Sequence, residues 1–217
     1  MDVVIAGGHG QIALRLERLL AGSGHRARAI IRNPDHVRDV EAAGGEPVVL
    51  DLEALAGPGD LTEAVRGADA VVFAAGAGPG SGPERKRTVD HGAAVALIAA
   101  ADAAGVDRYV MISTLGADRP DAGGEAMRAY FEAKGKAEEA LRASDLRYTI
   151  VRPGSLTDDP GTGLVTVAEH LDDWGSIPRD DVAAVLHTLL VDDRAPGRTI
   201  ELIDGDTPIA DALPAPD

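Results

Sequence analysis

Apolar positions along the chain fall into two alternating patterns. Short stretches rich in Val, Ile, Leu and Ala occur over 3–6, 25–31, 47–50, 70–75, 108–113, 148–151 and 199–203, and stretches of this kind between helices predict strands of a sheet covered on both faces. Between them lie stretches with apolar residues at helical spacing, such as Ile12, Leu16, Leu19 and Leu20. These predict helices over 11–21, 34–43, 60–66, 85–104, 126–143 and 180–191. Strand and helix in strict alternation imply an α/β fold, a Rossmann-type doubly wound parallel sheet with helices on both faces and right-handed crossovers. Gly- and Pro-rich stretches at 76–83, 156–163 and after 206 read as loops. No long linker divides residues 1–217, so a single domain is expected, with 155–180 as a small substrate-side region before the last helix and strand.

Composition narrows the function classes. Without cysteine there are neither disulfides nor thiolate metal sites, and the scattered His91, His170 and His187 lack the spacing of metal ligands, so no metal is expected. The balance of 21 basic against 36 acidic residues, net −15, disfavours nucleic acid and anionic membranes as partners. The chain opens directly on a strand without a basic leader, and its longest apolar stretch, 93–104, is broken by Asp102. A cytoplasmic protein acting on a small molecule, as monomer or homodimer, is expected.

The first run leads into Gly7-Gly8-His9-Gly10-Gln11-Ile12-Ala13, a G-x-x-G-x-x-A turn between strand and helix. Glycine there lets the backbone bend and approach a pyrophosphate, and the free N–H groups of the helix start hold it. At the end of the second run, where NAD-binding folds carry an acid for the ribose 2′-hydroxyl, stands Arg32. A guanidinium suits a 2′-phosphate, so NADP(H) is expected ahead of NAD(H), with Asp35 close by and a solvated surface arginine as the plainer reading. Asp51 and Leu52 follow the third run and either flank the adenine or cap a turn.

The blocks AGGHGQIA, IIRNP, ADAVVFAAG, VDHGAAVALIAAADAAGVDRYVMISTLGA, YFEAKGKAEEALRASDLRYTIVRPGSL and SIPRDDVAAVLHTLL run in order along most of the chain. In them the chain resembles the atypical short-chain dehydrogenase/reductases, in particular the NAD(P)H-binding NmrA-like and NAD(P)-dependent epimerase/dehydratase subgroup. The resemblance implies a cofactor across the carboxyl ends of the strands, its nicotinamide near Ala74, Ala75, Gly76, Pro153, Gly154 and Ser155. It also implies a catalytic Tyr130 and Lys134 in Y-x-x-x-K, with Ser113 upstream and Asp90 where many relatives carry Asn. In such a group Tyr130 donates a proton, Lys134 lowers its pKa and holds the ribose, and Ser113 hydrogen-bonds the substrate oxygen. With three Tyr and three Lys in the chain, the i, i+4 pair is informative, against the plainer reading of a half-buried Tyr and a Lys reaching for water. Trp174 either lines the substrate pocket or packs the C-terminal lobe. Two functions follow: an NADP(H)-dependent oxidoreductase or epimerase acting on a small carbonyl or hydroxyl compound, or an NADP(H)-binding redox sensor without turnover, to which Asp90 lends weight.

Overall fold

A computed structural model describes residues 1–55, 57–78 and 80–215. Pro79 of the expected 76–83 loop, and Pro216 and Asp217 of the expected tail, lie outside the described residues. The elements in chain order are β1 (Asp2–Ala6), α1 (Gln11–Gly22), β2 (Arg26–Ile31), a 3-10 turn (Pro34–His36), α2 (Val37–Ala42), β3 (Glu46–Val49), α3 (Pro58–Val65) and β4 (Ala70–Phe73). There follow α4 (Pro83–Arg85), a π-helical stretch (Lys86–Ala93), α5 (Ala94–Ala104), β5 (Arg108–Ile112), α6 (Gly124–Arg142) and β6 (Arg147–Pro153). The chain closes with β7 (Ser155–Thr157), β8 (Leu164–Ala168), β9 (Ser176–Pro178), α7 (Arg179–Val191), β10 (Arg198–Asp204), β11 (Thr207–Pro208) and α8 (Ile209–Ala212).

The main sheet has nine strands in the order β11-β8-β10-β6-β5-β4-β1-β2-β3. From β3 to β10 every pair is parallel. The chain doubles back between β1 and β4, which opens a crevice at their carboxyl ends. Along β1 the side chains alternate. Val3 and Ile5 enter one core with Leu16 and Leu20 of α1 and Val182 and Leu186 of α7. Val4 and Ala6 enter the other with Leu61 of α3, Leu97 of α5 and Leu141 of α6. Each layer hides one stripe of its helices, so the sheet's strands are apolar on both sides and read as stretches rich in Val, Ile and Ala.

The expected parallel sheet needs one correction. Strand β8 runs antiparallel to β10, and β11 antiparallel to β8, so the far edge is mixed. Both lie in stretches expected as loop or as the substrate-side region. β11 has only two residues, and β8, though apolar (LVTVA), directly follows the Gly- and Pro-rich stretch 156–163. The region 155–180 also supplies β7 and β9, which pair as a separate two-stranded ribbon. The helix expected over 85–104 exists, but with a π-helical turn over Lys86–Ala93. Such turns add a residue to the helix and redirect side chains, and they recur at functional sites; this one carries Asp90 inward, fully buried.

Candidate active site and cofactor crevice

The glycine turn is shaped by its neighbours. Gly7 has φ +83°, and a Cβ there would stand 2.7 Å from the Ala75 backbone. At Gly8 a Cβ would stand 2.5 Å from the Ala29 side chain of β2. The chain therefore presses against β2 and the end of β4 in a way that excludes side chains. Gly10 then caps α1 with φ −64°, and the first turn of that helix holds no acidic residue. The leading N–H groups of α1 are thus left facing the crevice without a built-in anion, as a pyrophosphate cradle requires. Ala13 is fully buried, so a small side chain is what the helix–strand contact accepts. His9 turns aside: its ring stacks on His36 at 3.5 Å, and its Nε2 lies 2.8 Å from Asp39 Oδ2.

Two cavities sit along the crevice. One, of about 300 Å³, is bounded by Gly7, His9, Ile31, Arg32, Asn33, His36, Asp51, Leu52, Glu53 and Arg85. The other, of about 670 Å³, is bounded by Ile12, Ala74, Ser113, Thr114, Leu115, Met127, Tyr130, Phe131, Lys134, Pro153, Gly154, Ser155, Trp174 and Arg179. Ala75 and Gly76 line both. Of the cofactor-side residues singled out in the sequence, Gly8, Gly10 and Gln11 line neither cavity, and the others line one or both. Asp51 caps the turn, its Oδ1 accepting the Glu53 N–H at 2.9 Å, and the residue lines the smaller cavity. Asp35 does not line it; its N–H donates to Asn33 Oδ1 at 3.0 Å, which starts the 3-10 turn.

In the larger cavity Tyr130 and Lys134 share one face of α6 and Ser113 stands at the end of β5, with Asp90 beneath Gly76. Gly135 allows this placement: a Cβ there would stand 2.6 Å from the Ala117 carbonyl. Lys134 is buried, and its ammonium is already engaged. It lies 3.5 Å from Asp90 Oδ1 and donates to the Ile112 carbonyl at 3.1 Å and the Ala75 carbonyl at 3.5 Å. Asp90 Oδ2 in turn accepts the Ala77 N–H at 3.3 Å. The ammonium stands 6.0 Å from the centre of the Tyr130 ring, close enough for its field to be felt. Two of its N–H groups donate to the Ile112 and Ala75 carbonyls, while Asp90 Oδ1 stands at ion-pair distance without a hydrogen bond, so one N–H is without a hydrogen-bond acceptor among the described residues.

Ser113 departs further from the expected role. Its hydroxyl donates to Glu138 Oε1 at 2.5 Å. Glu138 is fully buried and accepts from Arg152 Nε at 2.9 Å and Nη2 at 2.6 Å and from Arg142 Nη2 at 2.7 Å. A carboxylate so surrounded only accepts, so the Ser113 proton is committed to it and the hydroxyl is not a donor to a substrate oxygen in this arrangement. Arg152 also reaches Asp118 at 2.6 Å and Glu201 at 3.3 Å. Burial works against its charge, but Glu138 and Asp118 prevail and raise its pKa above the ordinary value.

Sequence reasoning missed Glu53, Arg85, Glu138, Arg152 and the apolar wall of Met127 and Phe131. Glu138 had a signal, since it extends the Tyr130, Lys134 spacing by another four residues along α6. Arg85 had none, standing next to a Gly-rich stretch. Trp174 lines the larger cavity, its ring centre 5.9 Å from that of Phe131 on α6 and 5.2 Å from the Arg119 guanidinium. Asp180 and Asp181 open α7 as expected. Asp181 also accepts from the Thr162 and Gly163 N–H groups at 2.9 and 2.8 Å, pinning the loop before β8.

Residues 7–193 match the domain family described as NAD(P)H-binding. The chain belongs to that family. A Bacillus subtilis protein named an uncharacterized sugar epimerase is 40% identical over 214 residues, covering 98% of this chain and 99% of its own. Among solved structures, a Bacillus halodurans protein described as an NAD-dependent epimerase/dehydratase superposes with a TM-score of 0.91 at 38% identity, over 97% of both chains. The Lactococcus lactis oxidoreductase ylbE superposes with a TM-score of 0.85 at 28% identity, over 98% of this chain and 94% of its own. This NAD(P)H-binding protein thus sits among epimerase- and oxidoreductase-like relatives. Among its described residues no helix is long and apolar enough to cross a membrane.

Proposed function

We propose that the chain binds NADP(H) along the crevice and acts as an oxidoreductase or epimerase on a small, largely apolar carbonyl or hydroxyl compound in the cytoplasm, as monomer or homodimer. The observation that carries this reading is the shared floor of Ala75 and Gly76, which joins the glycine turn and Arg32 to the cavity of Tyr130 and Lys134. The residues present fit such a cofactor. Glycines whose Cβ atoms would strike Ala75 and Ala29 leave the turn bare, the uncapped start of α1 receives the pyrophosphate, and Arg32 receives the 2′-phosphate.

The cofactor, when bound, supplies or accepts a hydride. Tyr130, on the cavity wall, gives its proton to the substrate oxygen or takes one from it. Lys134 places its ammonium 6.0 Å from the Tyr130 ring centre and is itself held by Asp90 and two carbonyls. Met127, Phe131 and Trp174 hold the apolar part of the substrate and keep water from the reacting carbon. Pro153, Gly154 and Ser155 bound the nicotinamide end.

A scan of NADPH oxidation against a broad carbonyl panel, followed by kinetics of Tyr130→Phe, tests the reading. The variant loses roughly 10²–10⁴-fold in kcat with its NADPH affinity retained, because one proton donor is removed and little volume changes. An unchanged kcat removes Tyr130 from the mechanism. One observation favours the sensor reading instead: the Ser113 proton and two Lys134 N–H groups go to protein acceptors, and Asp90 lies at ion-pair distance from the same ammonium. NADPH binding without turnover on any carbonyl would support it.

A further inference from the structure

The smaller cavity holds a charged group that no step above uses. Glu53 Oε2 lies 3.2 Å from Arg32 Nη1 and 3.5 Å from Arg85 Nε, and Thr88 Oγ1 donates to Glu53 Oε1 at 2.7 Å. Arg32 follows β2, Glu53 follows β3, and Arg85 and Thr88 lie between β4 and α5. Three separate chain segments thus converge on one carboxylate beside the crevice. Two guanidinium groups and a hydroxyl make a donor set suited to a phosphate, with more N–H groups than one carboxylate can engage. Arg32, Arg85 and Glu53 all keep contact with solvent, at 54%, 42% and 26% exposure. Pairs this exposed contribute little to stability and exchange partners readily.

We propose that Glu53 is an internal stand-in for the adenosine 2′-phosphate. It holds Arg32 and Arg85 together in the free protein and is displaced when that phosphate arrives. The inference rests on the NADP(H) reading and extends it in two ways. Arg85 becomes a second specificity residue, supplied from a different chain segment than Arg32. Glu53 becomes the group that limits affinity, because a doubly charged phosphate entering between the arginines must replace a charge already there. A nucleotide with a free 2′-hydroxyl has nothing with which to displace Glu53 and binds without disturbing it.

Calorimetric titration of 2′,5′-ADP, 5′-AMP, NADPH and NADH into the wild type, Glu53→Gln and Arg85→Ala tests this without any substrate. Glu53→Gln is expected to tighten 2′,5′-ADP and NADPH about three- to tenfold, by an amount that shrinks as salt is raised. It leaves 5′-AMP and NADH within about twofold, since neither meets the vacated charge. Arg85→Ala is expected to weaken 2′,5′-ADP about tenfold and leave 5′-AMP in place. Weaker NADH or 5′-AMP binding in Glu53→Gln would make Glu53 an acceptor for the ribose hydroxyl and overturn the proposal. So would 2′,5′-ADP binding that neither variant alters, with NADPH still bound; the cofactor reading would then stand alone. A wild type that binds neither dinucleotide would remove the cofactor reading, and this inference with it.

Discussion

Replacing Asp90 with Asn tests the electrostatic centre of the site. Asp90 is fully buried and Lys134 nearly so, with Nζ and Oδ1 3.5 Å apart. At an effective dielectric of about 20, that separation corresponds to about 5 kcal/mol of gross attraction. Part of it offsets the cost of burying both charges, so the pair itself adds little net stability. Removing one partner is different, because it leaves the other charge buried. Asn keeps the shape and can still accept the Ala77 N–H, and the Ile112 and Ala75 carbonyls remain for Lys134. The expected loss is therefore about 2–4 kcal/mol, near the lower end for a broken buried pair. For a chain of this size that lowers Tm by roughly 5–15 °C. Lys134→Met should cost at least as much, since it strands the carboxylate. Asp90→Asn/Lys134→Met, with no charge left to bury, should be less destabilised than the sum of the single changes. Thermal unfolding of the four proteins at one pH and protein concentration gives the coupling. Additive effects, or an Asp90→Asn Tm within about 1 °C of the wild type, would refute the pairing as a buried electrostatic contact.

Two further perturbations probe the scaffold around the site. Glu17, fully buried on α1 with no hydrogen-bond partner for either carboxyl oxygen among the described residues, has its pKa pushed by burial from 4.5 to about 8, with Arg18 opposing weakly. The folded protein thus keeps a proton that the unfolded chain releases, so this group's contribution is full below pH 4.5 and is lost as pH rises to 8, up to about 5 kcal/mol in all. Urea titrations across that interval should show a steeper decline for the wild type than for Glu17→Gln, and parallel curves would count against the assignment. Gly135→Ala gains about 1 kcal/mol in helix propensity. The new Cβ, however, falls 2.6 Å from the Ala117 carbonyl, an overpacking that costs about 1–3 kcal/mol, so the net effect on the urea midpoint should be destabilising; a gain would mean that α6 can move away from that loop.

The elements that position the site were legible for a physical reason. Strands buried on both faces read as stretches rich in Val, Ile and Ala, and glycines that cannot carry a Cβ mark the turn after β1. Tyr130, Lys134 and Ser113 were legible as residue types at a spacing. What their atoms do was not, because hydrogen-bond partners come from other segments. The Ser113 proton goes to Glu138, on the helix that follows, and Glu138 is held by Arg152 on the strand after that. Arg32 was legible as a cation at the tip of β2, but its partner Glu53 lies 21 residues away and the second arginine comes from beyond β4. Periodicity reports which face of an element is buried, and pairing across elements leaves no period to read.

The same distinction bears on what Asp90 contributes. In sequence it is a substitution at a position where an amide was expected. In the fold it sits on a π-helical turn, beneath Gly76, and draws the Lys134 ammonium toward the sheet. A neutral amide at the same place would leave the ammonium its two carbonyl acceptors and reduce what holds it there. The acid thus favours a Lys134 engaged within the protein, and in the proposed function the uncapped α1 and the arginines are the groups that would grip a nucleotide. On the proposed function, cofactor binding and proton transfer would be separable: the first would depend on the glycine turn and the Arg32 side of the crevice, the second on how firmly Asp90 holds Lys134. Comparing NADPH affinity with turnover in Asp90→Asn measures that separation directly, and a loss of both together would tie Asp90 to nucleotide binding as well.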